Sequence, residues 1–155
     1  FLYPHVDQKL LSNIENARVS REYFKVIHSA LEHCVIHDDV VIANIDKVSN
    51  PDVMAEVADL LMRLEKITWG FSFGAYNGDI LISARTIDRA NDAGSLIRKA
   101  VGDLGPAGGH EMMAGAKINV KGKTAAQKKA LIRKLIRRVL ELTGNQAAKG
   151  EDLID

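Results

Sequence analysis

Between Ile67 and Thr86 the chain follows a two-residue alternation that a β-hairpin satisfies and a helix does not. Ile67, Trp69, Phe71 and Phe73 alternate with Thr68, Gly70, Ser72 and Gly74, so one face of the first strand is apolar and largely aromatic and the other small. Asn77-Gly78 is a strong tight-turn signal, and Asp79 to Thr86 return as the partner strand. On that strand Ile80, Ile82 and Ala84 share one face, which places Ser83 and Arg85 together on the other.

Helical patterns flank this hairpin on both sides. A short connector helix is expected over 7–16. Ser20 is positioned to cap a helix carrying Tyr23, Ile27, Ala30, Leu31 and Cys34 on one face. Cys34-Val35-Ile36, a polar His37-Asp38-Asp39 turn and Val40 to Ile45 read as a further hairpin. Asn50-Pro51-Asp52 opens a helix with an N-cap, a proline at the first helical position and an acid in the first turn. Asp92 caps a helix bearing Leu96, Ile97, Ala100 and Val101, which ends in an irregular glycine-rich segment from Gly102 to His110. Met112 to Val120 read as a strand. Thr124 and Gln127 form a capping box for a last helix with Leu131, Ile132, Leu135, Ile136, Val139 and Leu142 inward. The pattern predicts an α/β (α+β) domain, a mixed β-sheet flanked by helices.

Composition sets the bounds. The 155 residues, 46% hydrophobic and 26% charged, suit one compact domain with a real core. No apolar run approaches the roughly 18 residues of a membrane span, and no signal-peptide pattern opens the chain, so no membrane partner is expected. The single cysteine, Cys34, excludes an intrachain disulfide and fits a reducing, cytoplasmic compartment. The start at Phe1 reads as the middle of a longer protein. The net charge of +1 conceals an asymmetry: nine Lys or Arg and no acid lie between Met112 and Leu140, whereas the remainder carries a net −8. That basic segment is either a phosphate-attracting surface or a solvated helix face.

Two segments are candidates for chemistry. Gly108-Gly109-His110 combines glycines, which let an anion approach backbone N–H groups without a Cβ in the way, with a histidine able to donate to phosphate. It is neither a P-loop nor a dinucleotide fingerprint. Arg85 offers a planar guanidinium suited to phosphate or carboxylate, with Ser83 beside it as a neutral donor. The alternative for Arg85 is an internal pair with Asp79, Asp88 or a backbone carbonyl. His33, Cys34 and His37 diverge and lack a fourth ligand, so Cys34 is assigned to the core and no metal site is expected in this chain. Trp69, Phe71 and Phe73 are read as core, and Asp38-Asp39 as a solvated turn. The acids do not cluster, so no complete catalytic centre is expected.

The strand Ile82-Ser83-Ala84-Arg85, an intervening helix and then Ala107-Gly108-Gly109-His110-Glu111-Met112-Met113-Ala114-Gly115 resemble the C-terminal, DHH-associated domain of the DHH phosphoesterases. The helix ending Ala58-Asp59-Leu60-Leu61 after Asn50-Pro51 is similar to the nanoRNase-type members. The resemblance covers roughly 20–120, with two departures. Ala107 replaces the first glycine of the family's triplet, and the Asp-His-His motif of the N-terminal domain is absent.

The resemblance implies the substrate-gripping half of a phosphodiesterase or phosphomonoesterase acting on short oligonucleotides or nucleotides. Gly108, Gly109, His110 and Arg85 would hold phosphate, with Ser83 in support. The N-terminal DHH catalytic domain is then the partner and carries manganese (Mn2+); short single-stranded nucleic acid or a nucleotide is the ligand, and a homodimer is an allowed state. Residues 1–18 would end the interdomain linker helix, 19–145 form the domain, and 146–155 a flexible tail. Two other readings are carried: a stand-alone nucleic-acid-binding module using the basic helix, and a structural or dimerisation domain. Short RNA, single-stranded DNA, phosphoadenosine phosphate, cyclic dinucleotides and polyphosphate present the same phosphate chemistry to such a loop.

Overall fold

The computed structural model describes residues 17–155. The connector helix expected over 7–16, and with it nearly all of the linker segment 1–18, lies outside the described residues; Ala17 to Ser20 have no regular structure. The elements run α1 (Arg21–Glu32), β1 (Cys34–His37), β2 (Val40–Lys47), α2 (Asp52–Leu61), β3 (Trp69–Tyr76), β4 (Asp79–Thr86), α3 (Ala93–Val101), β5 (Ala107–His110), β6 (Met113–Asn119), α4 (Ala125–Leu142) and β7 (Glu151–Asp152). The seven strands form one sheet in the order β5-β6-β4-β3-β2-β1-β7. Among the described residues only β2 and β3 pair in parallel, joined by a crossover through α2. The other pairings are antiparallel, so the sheet is mixed as expected.

Local signals act where the sequence places them. The Ser20 side chain accepts from the Tyr23 N–H, and Thr124 and Gln127 exchange both capping-box hydrogen bonds, at 2.8 and 3.1 Å. At the hairpin turn Asn77 and Gly78 have φ of +52° and +85°, the two positive values that a type I′ turn requires. Asn50 Oδ1 accepts from the Asp52 N–H, which fixes the start of α2.

The sheet separates two apolar cores. On one face Trp69, Phe71, Phe73, Ile80, Ile82 and Ala84 are buried beneath α3 and α4, which contribute Leu96, Ile97, Leu135 and Val139. On the other face α1 and α2 cover Val41, Ala43 and Ile45. The small side of β3 is small because α2 lies against it. A Cβ on Gly70 would stand 2.8 Å from Met62 Sδ, and one on Gly74 would stand 2.9 Å from Met54 Sδ. Ser72, buried between them, donates its hydroxyl to the Met54 carbonyl at 2.7 Å.

Three expectations are corrected. Gly108-Gly109-His110 is part of edge strand β5 instead of an irregular loop, because β6 follows within two residues and zips up with it from His110–Met113 to Ala107–Ala116. The segment 146–155 is tied down where a flexible tail was expected: Glu151 and Asp152 pair with Ile36 and Val35, and the Leu153 N–H donates to the Cys34 carbonyl at 2.9 Å. Leu142, expected inward, is exposed at the last turn of α4.

Candidate phosphate-binding site

Register brings the sequence-selected residues together. Ser83 pairs with Gly115, which pairs with Gly108; Arg85 pairs with Met113, which pairs with His110. Directly opposed residues share a face, so Ser83, Arg85, Gly108 and His110 stand on one side of β4, β6 and β5. That is the side covered by α1 and α2 over β2 and β3. Beyond α2 it is bare among the described residues.

Two shallow depressions occupy this bare half. One, of about 480 Å³, is lined by Met54, Leu81, Ser83, Gly108 and Gly115 with Pro51 at its rim. The other, of about 450 Å³, is lined by Asp59, Met62, Arg85, His110, Ile87 and Met113. The second joins a cation, a histidine and an apolar wall in one cleft; Ile87 and Met113 are exposed there.

Arg85 is held in place. Its side chain is only 11% exposed, its Nε donates to Asp59 Oδ1 at 2.7 Å, and Nη1 donates to the Ala84 carbonyl at 2.9 Å. Of the internal partners weighed for Arg85, the backbone carbonyl is found. Asp79 pairs instead with Lys117 at 3.7 Å, and the carboxylate on Arg85 comes from α2. Fixing one edge of a guanidinium reduces the rotamer entropy lost when the remaining donors meet an anion.

The two glycines differ in what surrounds them. A Cβ on Gly109, where φ is +155°, would collide with the Met113 carbonyl and stand 2.5 Å from Ala114 Cα. A Cβ on Gly108 would meet nothing closer than Arg98 Nη1 at 3.7 Å. Gly109 therefore permits the close approach of β5 to β6, and Gly108 leaves open space on the bare face.

The basic residues of α4 do not extend this site. Leu135 and Val139 pack α4 on the Trp69–Phe71–Phe73 core, so exposed Lys129, Arg133 and Arg137 lie on the opposite side of the sheet from Arg85. Among the described residues no three His, Cys, Asp or Glu side chains converge. No helix among the described residues is long and apolar enough to cross a membrane.

Asp59, which accepts from Arg85, and Arg98, which lies beside Gly108, were not singled out by sequence reasoning. Asp59 becomes visible only once β3 and β4 are in register: Gly70 pairs with Arg85, and α2 passes over Gly70 with Ala58.

Comparison with known proteins places the chain in a family. Residues 37–141 match the DHHA1 domain, which is more than half of the chain. An uncharacterized protein of Methanocaldococcus jannaschii is 33% identical over 150 residues, 93% of this chain, and the chain spans 30% of that protein's length. In fold, the chain is similar to an exopolyphosphatase-related protein from Bacteroides fragilis, at a TM-score of 0.61 and 12% identity over 89% of this chain and 41% of that one. It is also similar to the DHH domain of a member of a family of ribosomal proteins, at a TM-score of 0.51 and 14% identity over 86% of this chain and 33% of the other. The match over 37–141, which runs from the end of β1 into α4, identifies the chain as a member of the DHHA1 domain family.

Proposed function

We propose that this chain is the phosphate-gripping lobe of a DHH-type phosphoesterase acting on nucleotides or short oligonucleotides. One observation carries the reading. Arg85 on β4 and His110 on β5, from strands that are not neighbours, line a single cleft on the uncovered half of the sheet. A guanidinium and an imidazole converging there are suited to phosphoryl oxygens. Met62, Ile87 and Met113 beside them offer apolar contact that a nucleoside can use and a bare phosphate cannot.

In this proposal hydrolysis belongs to an N-terminal DHH domain of the same protein, which also holds manganese. The contribution of the present chain is positioning. Arg85, oriented by Asp59, holds one phosphate oxygen; His110 donates to another; Gly108 leaves room for close approach. Ser83 is in the adjoining depression and extends the polar surface along β4 from Arg85.

The test is binding of a 5′-phosphorylated oligoribonucleotide to the protein carrying this chain, at low and high salt. His110→Ala and Arg85→Ala are each expected to weaken binding by about tenfold, the worth of a charge-assisted hydrogen bond. Affinity that survives both substitutions but collapses with salt would transfer the role to the basic face of α4.

A further inference from the structure

We propose that Arg98 on α3 is a second phosphate-binding residue, so that the site takes anions with at least two linked phosphates. This deepens the proposed function and rests on it.

The helix α3 meets β5 at backbone distance. A Cβ on Gly94 would stand 2.5 Å from the Gly109 carbonyl oxygen, and the Ala93 N–H donates to the Glu111 carbonyl at 2.8 Å. One helical turn after Gly94, on the same face of α3, comes Arg98. Its Nη1 lies 3.2 Å from the point a Gly94 Cβ would occupy and 3.7 Å from the corresponding point at Gly108. The fold thus brings a guanidinium to the free edge of the sheet, against the glycine of β5 that has open space.

Its charge is uncommitted. Arg85 spends Nε on Asp59, whereas Arg98 has no carboxylate within ion-pairing distance among the described residues and is exposed. β4 and β5 are separated by β6, two strand spacings or about 10 Å. Arg85 and Arg98 therefore flank the Gly108–Gly115 strip from opposite sides. A ligand with one phosphate can satisfy Arg85 and His110; a linked second phosphate is needed to reach Arg98. An oligonucleotide and an inorganic polyphosphate both supply one.

The experiment measures, on the full protein, affinities for 5′-phosphorylated diadenylate, AMP and inorganic triphosphate in wild type, Arg98→Ala, Arg98→Lys and His110→Ala. Arg98→Ala is expected to weaken diadenylate by about tenfold and AMP by less than about twofold, with part of the loss recovered in Arg98→Lys. Because Arg98 is exposed, the thermal midpoint should not move. A triphosphate that binds more tightly than diadenylate and shows the same Arg98 dependence supports the inference with polyphosphate as the source. Unchanged diadenylate affinity in Arg98→Ala, with His110→Ala still impaired, overturns the inference and leaves the proposed function standing. Wild-type protein that binds none of the three overturns both.

Discussion

Asp59 on α2 reaches over β3 to Arg85 on β4, its Oδ1 2.7 Å from Nε. The contact is asymmetric: the arginine is nearly covered and the carboxylate is 62% exposed. Such a pair contributes little stability, about 1 kcal/mol or less, and its weight falls on orientation. Asp59→Asn keeps an acceptor for Nε and removes a negative charge from the cleft. It should leave the unfolding free energy within about 1 kcal/mol of wild type and tighten phosphate binding two- to fivefold, roughly the Coulomb gain at a surface site. Titration with a phosphorylated oligonucleotide at low salt checks this, and weaker binding would show that the charge itself positions Arg85.

The adjacent glycines of β5 separate stability from binding. Gly109→Ala drives a methyl into the backbone of Met113 and Ala114 and should cost about 2–4 kcal/mol. Gly108→Ala meets no atom nearer than 3.7 Å, so its unfolding free energy should stay within about 0.5 kcal/mol while phosphate affinity falls. Denaturant titration of both variants, followed by binding assays on Gly108→Ala, decides the matter.

Burial pushes the Cys34 thiol up from 9.0 to about 11. The unfolded chain loses this proton near the ordinary value while the folded protein keeps it. The contribution to stability is therefore whole below 9.0 and disappears as pH rises to 11, a loss of about 2–3 kcal/mol. Native protein should resist alkylating reagents at neutral pH, and a Cys34→Ala variant should show a shallower decline in stability through the alkaline window.

The basic face of α4 provides a separate test. Lys129, Arg133 and Arg137 follow one another at four-residue intervals on the exposed side of α4, across the sheet from Arg85. Their triple replacement by Gln should change oligonucleotide affinity less than about twofold at physiological salt, since the sheet and its apolar core lie between them and the cleft and salt screens exposed charges over about 8 Å. A loss comparable with that of His110→Ala would make the helix the binding surface.

Most of the scaffold was legible because its signals are local. The alternation at Trp69, Phe71 and Phe73, the Asn77-Gly78 turn and the Thr124–Gln127 box each fix backbone geometry within a few residues. Gly108, Gly109 and His110 were identifiable by residue type, yet their strand conformation depends on pairing with β6, and two glycines carry almost no intrinsic strand preference. The β7 pairing is two residues long and lies over a hundred positions from β1, beyond any periodic signal. Asp59 and Arg98 were illegible for a similar reason. Each sits on the polar side of an amphipathic helix, and only tertiary register decides which polar residue overlooks the sheet.

The parallel pairing of β2 with β3 requires a crossover, and α2 makes it. Its ten residues give a rod of about 15 Å that runs along β3, with Met54 over Gly74 at one end and Met62 over Gly70 at the other. The C-terminal end of that rod, with Asp59 and Met62, forms one wall of the cleft that holds Arg85 and His110. A helical turn inserted before Asp59 would carry it along β3 and away from Arg85, whereas loss of the last turn would bare Gly70. How far α2 runs along β3 therefore decides which of its side chains stand beside Arg85.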